Sequence, residues 1–261
     1  MSSANAPYPP APGADAPARR DFLRAYGFVG DSPNWALNLL MGAVCVLSTM
    51  VIPIIGQLVF LGYNFEIIEA LHLDRRRRAY PDFSFDRFTE YLIRGAWPFL
   101  VSLIVSVVAT PLIMVVLAIV GLPLLIMLNA RGDNPGGLLV LAAGLTISVV
   151  TVAGMALMAL AMVPMMLRAG LAQDFGEGFN LEFIKDFIRR VWKETILAYL
   201  FLVVSALVVS LAGLVLLCVG IFPAAALIML AQAHLHLQLY ELYLARGGTP
   251  IPLPARLAPP A

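Results

Sequence analysis

Amide, imidazole and carboxylate side chains interrupt two otherwise apolar stretches: Gln57, Asn64, Glu66 and Glu69 in the first, and Gln232, His234, His236, Gln238 and Glu241 in the second. Such groups are costly to keep in apolar surroundings, so they mark solute paths, proton relays or bonds between helices. Gln57 to Glu66 and Gln232 to Glu241 have the same spacing of nine, which fits related segments holding polar groups at matching depths. His234 and His236 are two apart, which on a helix turns them about 200° from each other, so they cannot grip one metal as an i, i+4 pair can. His234, Gln238 and Glu241 share a helix face and suit a hydrogen-bonded strip against a neighbouring helix better than a proton relay. Glu69 and Glu241 stand near the ends of their stretches, where pairing with the run Arg75, Arg76, Arg77 and Arg78 or with Arg246 is the expected arrangement; Glu66 is deeper. That arginine run sets orientation first, and it also suits anionic lipid headgroups at about 1 kcal/mol per residue.

No pattern in the chain supplies a catalytic group. There is no HExxH, no GxSxG and no pair of carboxylates facing each other within the apolar stretches, so an enzyme is the least expected class. The glycines at 170, 176 and 178 could form a hinge but match no phosphate cradle. Cys45 and Cys218, the only cysteines, each lie in an apolar stretch, where small packing residues are expected rather than a disulfide or metal site. No cofactor is expected.

The elements that must carry these residues follow from composition. Of 261 residues, 61% are hydrophobic and 13% charged, against roughly 45–50% apolar and 25% charged in an ordinary soluble domain. The net charge of +1 gives no field that would gather nucleic acid. The apolar run from Trp35 to Leu73 is nearly twice the roughly 20 residues that cross a bilayer, so Pro53 and Gly56 should fold it into spans near 35–52 and 54–71. Trp97 to Leu128 and Leu138 to Leu167 give two more, separated by the polar turn at 129–137. The run from Thr195 to Leu244 should divide near Gly220 and Pro223. The expectation is an all-α integral membrane protein, with about six transmembrane helices as three hairpins over residues 28–246. Pro-rich tails at 1–27 and 247–261 should flank it, the first without the pattern of a secretory signal.

Charge placement fits this division. Of the 17 basic residues, all but Arg131 fall on one side of it, which the rule for short loops makes cytoplasmic, with both termini there. Each hairpin also opens on a tryptophan, Trp35, Trp97 or Trp192, a residue that prefers the headgroup layer. Ile-Arg-x-x-Trp recurs at Trp97 and Trp192. The segments before them place Phe88, Tyr91, Leu92 and Gly95, and Phe183, Phe187, Ile188 and Val191, on single faces. Both read as short amphipathic helices lying flat on the inner surface, and the pattern suggests an internal repeat. The turns at Pro53 and Pro223 carry no charge, so either hairpin could dip in and return instead of crossing.

The aromatic lead-in to Trp35, the Pro53 hairpin, Leu61-Gly62-Tyr63, Tyr80-Pro81-Asp82-Phe83 and Arg94-Gly95 together resemble the uncharacterised prokaryotic membrane family catalogued as domain of unknown function 4013, over roughly residues 28–248. The resemblance implies an integral membrane protein and brings no activity, substrate or site residue with it. By elimination the sequence points to a non-enzymatic scaffold or assembly subunit of the cell membrane. Its partners would be the bilayer, anionic lipids, other membrane proteins or further copies. Small residues at helix spacing, Ser106 and Thr110, Gly144 and Ser148, Ala206 and Ser210, would allow close packing. The alternative is a transporter or channel component for a small molecule, ion or lipid, built on the polar residues of spans two and six. Convergence of Gln57, Asn64, Glu66, His234 and Gln238 on one cavity would favour transport, and scatter would favour the scaffold.

Overall fold

The computed structural model describes residues 21–74, 79–130, 137–215 and 219–254, and among these it is all helix and turn, with no strand. A short helix α1 (Arg24–Gly27) is followed by α2 (Trp35–Ser48), α3 (Ile55–Leu73), α4 (Phe88–Ala130), α5 (Gly137–Ala172), α6 (Leu181–Val215) and α7 (Ile221–Ala245). Four of these, α4 to α7, are long and apolar enough to cross a bilayer; α2 is a shorter apolar helix. The run from Trp35 to Leu73 breaks where Pro53 and Gly56 require, at 49–54, and the last long run ends one helix at Val215 and begins the next at Ile221.

The first turn is tight. Ile54 takes φ 81°, a left-handed conformation that a β-branched side chain resists, and a Cβ on Gly56 would collide with the Cys45 carbonyl. By contrast, Pro98, Pro111, Pro123 and Pro164 sit inside α4 and α5 without ending them, as prolines often do in helices of apolar surroundings. Asn180 caps α6, its Oδ1 accepting the Phe183 N–H at 3.0 Å. At the end of α7, Gly247 takes φ 78° and the Gly248 N–H returns to the Tyr243 carbonyl at 3.0 Å, closing the helix over the Tyr243 ring.

The two amphipathic lead-ins differ from the expectation of separate surface helices. Phe88–Gly95 runs unbroken into α4. Residues 181–190 are set off from the rest of α6 by a kink at Val191, but Phe183, Phe187 and Val191 are buried against α7, with Tyr243 edge-on to Phe183. Their apolar face is used by the protein itself. The stretches assigned to loose tails are also partly built in. Ala25 is fully buried, Tyr26 donates to Ser205 Oγ at 2.8 Å, and Ile251 is fully buried with its N–H on Tyr240 Oη at 2.8 Å. These aromatic and aliphatic side chains find room against α6 and α7.

The core is one-ended. Buried residues gather around α3, α7, the first part of α4, the last turns of α5 and the first turns of α6. The other ends of α4, α5 and α6 expose apolar side chains along their length, among them Val107, Ile119, Leu145 and Leu207.

Candidate functional site

Asn38, one turn into α2, is fully buried. Its amide donates to Asp82 at 2.9 Å and its Oδ1 accepts the Phe83 N–H at 2.9 Å. Asp82 also accepts from Ser32 at 3.0 Å and Asn34 at 2.7 Å, while Tyr63 Oη donates to the Pro81 carbonyl at 2.9 Å. Phe83 packs on the rings of Tyr63 and Tyr91. The segment 80–84 is thereby strapped across α2, α3 and α4, and burial raises the Tyr80 phenol above its ordinary range. Nothing in the sequence reading singled out Asn38; the available signal was a lone amide in the apolar run after Trp35. Asn38→Leu should cost about 1–3 kcal/mol, because it leaves the Phe83 N–H without its acceptor and removes a donor from the Asp82 carboxylate at once. A lowered unfolding temperature in detergent is the readout.

Three of the glutamates form ion pairs with arginines of a neighbouring element. Glu66 pairs with Arg87 and Glu69 with Arg94, joining α3 to the start of α4. Arg246 grips Glu194 at 2.9 and 3.1 Å, joining α7 to α6. Glu241 lies 3.5 Å from His72, a residue the sequence reading passed over. Glu69 and Glu241 thus have partners on adjacent helices, because antiparallel neighbours bring distant residues to the same level; their expected pairing with the run at 75–78 falls outside the described residues. Arg75, Arg76, Arg77 and Arg78 lie outside the described residues, so their headgroup contacts have no structural account. His234 Nδ1 accepts a hydrogen bond from Gln238 Nε2 at 3.0 Å and the ring stacks on Phe28 at 4.5 Å, while Gln238 Nε2 also donates to the Asp21 carbonyl at 3.0 Å. Two residues of the expected strip are joined in this way and face the N-terminal segment, whereas Glu241 turns to His72 of α3.

The neutral polar residues behave differently. Gln57 and Asn64 of α3, Ser102 of α4, and Gln232 and His236 of α7 line one cavity of about 180 Å³, walled by side chains such as Phe65, Met166 and Met229. Asn64 is 4% exposed, and its Oδ1 has no hydrogen-bond partner among the described residues. Of the five residues whose convergence was in question, Gln57 and Asn64 meet there; Glu66, His234 and Gln238 do not. Gln232 joins them, as does His236. Among the described residues no cluster of His, Cys, Asp or Glu could hold a metal.

An all-α chain with four bilayer-length apolar helices, a charged cap cross-braced by ion pairs and a small polar cavity is thus the class that fold and site define. The chain belongs to the family described as a protein of unknown function, DUF4013, whose model matches residues 45–218. The match takes in Gly62, Tyr63, Pro81, Phe83, Arg94 and Gly95, the residues that meet where α3 crosses α4 under the strap; α7, one wall of the cavity, lies beyond it. No curated protein and no solved structure matches the chain.

Proposed function

We propose that this is an integral protein of the cell membrane, built as three helical hairpins with both termini cytoplasmic, that holds a small uncharged polar solute in the cavity between α3 and α7 as a transport component and not as an enzyme. The carrying observation is the sorting of polar groups. Glu66 and Glu69 are paired with arginines and Glu241 lies beside His72, whereas Gln57, Asn64, Ser102, Gln232 and His236 line a common space, and Asn64 there has a carbonyl oxygen without a partner among the described residues. With no charge on its walls, the cavity suits a molecule that both donates and accepts hydrogen bonds and has an apolar side. About 180 Å³ corresponds to roughly six water molecules at about 30 Å³ each, so the occupant is smaller than a drug-sized ligand.

Vesicles reconstituted with the protein and loaded against a glycerol gradient provide the test. Glycerol should equilibrate at least several-fold faster than in empty vesicles, and Asn64→Leu with Gln232→Leu should abolish the difference. In the same experiment Asn64→Leu should raise the unfolding temperature, because an unpaired buried carbonyl costs about 1–3 kcal/mol. Glycerol and urea fluxes equal to those of empty vesicles would reject the reading. The scaffold reading keeps two specific supports: Glu66, His234 and Gln238 lie away from the cavity, and Thr110, Gly144, Ser148 and Ser210 lie on exposed helix faces where another helix could approach. Loss of self-association on Gly144→Leu, with no solute flux, would favour it.

A further inference from the structure

We infer that the first hairpin, α2 and α3, does not cross the membrane: it enters the inner leaflet, turns at 49–54 among lipid acyl chains and returns to the cytoplasmic side. This goes beyond the solute-binding reading and does not depend on it.

The argument is one of levels. A Cβ on Gly95 would strike the Leu58 carbonyl, and one on Gly62 would strike the Tyr91 carbonyl, so residues 58–62 of α3 lie beside residues 91–95 of α4. That part of α4 holds Arg94 and stops just short of Trp97, so it belongs to the headgroup layer. A second marker agrees. Gly178 rests against Val101, in a loop where Glu177 pairs with Arg168 and Asp174 accepts the Gly176 N–H at 2.7 Å. Such a loop stays in contact with water, so hydrocarbon begins near or past Val101. From Leu58 back to Ile55 is only about 4.5 Å of helix, which leaves the tip near or just past the level of Val101, far short of the other face of a core of about 30 Å. Helix α4, by comparison, continues from Val101 to Ala130, roughly 44 Å.

The tip is made for lipid and not for water. Met50 and Val51 are 75% and 81% exposed, and Ile52 and Ile54 are exposed too. Several of its polar groups are satisfied within the turn: the N–H groups of 49, 50, 51 and 52 bond to the carbonyls of 46, 47 and 48, and the hydroxyls of Ser48 and Thr49 bond to the carbonyls of 45 and 46 at 2.7 and 2.6 Å. Backbone that turns within hydrocarbon must satisfy itself in this way. A consequence is that the cavity, lined by Leu61 and Asn64 as well as by Ser102, sits at the level of the inner headgroup layer.

A version with Cys45→Ala and Cys218→Ala and one new cysteine, Val51→Cys, tests this in sealed vesicles of known orientation, with Asn134→Cys as the marker for the outer side. A membrane-impermeant maleimide should label position 134 from outside and position 51 from neither side. An environment-sensitive fluorophore attached at position 51 in detergent before reconstitution should be quenched several-fold more by nitroxides on lipid chains than by a water-soluble quencher. Labelling of position 51 from outside would establish a full crossing and overturn the inference. So would free labelling from inside with no quenching by lipid nitroxides, which would place the hairpin outside the bilayer.

Discussion

Glu69→Ala should lower stability by about 3–5 kcal/mol, the loss that follows when one partner of a buried ion pair is removed and the other charge stays behind. The Glu69 side chain is 4% exposed and that of Arg94 12%, so the guanidinium between α3 and α4 has little water to turn to. Glu66→Ala should cost less, because its partner Arg87 is 38% exposed, also meets Glu90 at 2.8 Å, and can rehydrate. Thermal unfolding in detergent would rank the two, and Glu69→Ala combined with Arg94→Leu should recover much of the loss. If the double variant is no better than Glu69→Ala alone, the pair is not what holds the crossing.

The other large effect is expected at the same crossing. Gly62→Ala and Gly95→Ala each place a methyl group against backbone, Gly62 on the Tyr91 carbonyl and Gly95 on the Leu58 carbonyl, so neither clash is relieved by rotating a side chain. Overpacking of this kind costs about 1–3 kcal/mol and sometimes more, and here the helices must part along with the ion pairs and the strap they carry. A collapse in monodisperse yield on size-exclusion chromatography is the expected result for both. Gly144→Ala is the control: nothing lies within 4 Å of its added methyl, so helix propensity alone should make it neutral or better by up to about 1 kcal/mol. Equal losses at Gly62 and Gly144 would remove the case for a close crossing.

Much of this arrangement was legible from local chemistry. Pro53 with Gly56 located the first break, and the polar residues amid apolar neighbours pointed to Gln57, Asn64 and Gln232. What could not be read were contacts set by the return of distant chain. Asn38 depends on Asp82 and Phe83 more than forty residues on; Tyr240 and Tyr243 hold a tail that composition alone marks as loose. Charge placement is likewise blind to the depth of a hairpin. One that dips and returns keeps the same basic residues on the same side as one that crosses twice, so arginines could not choose between them. The amphipathic pattern at 183–191 was sound as a pattern, yet its partner was Tyr243 of α7, and a face alone does not say whether lipid or protein covers it.

The packing of α7 into the middle of the molecule has a consequence for how a ribosome must deliver this chain. Gly42 and Phe60, from the two arms of the first hairpin, meet Ala226 or its neighbours, and Phe28 stacks on His234. Yet α7 begins about 150 residues after α3 ends, which at about 5–20 residues per second is roughly 7 to 30 s of synthesis. During that interval the N-terminal segments have been made and their covering helix has not. Nascent chains halted before residue 221 should therefore remain open to protease and bound to insertion factors, and should close only when the last helix is released.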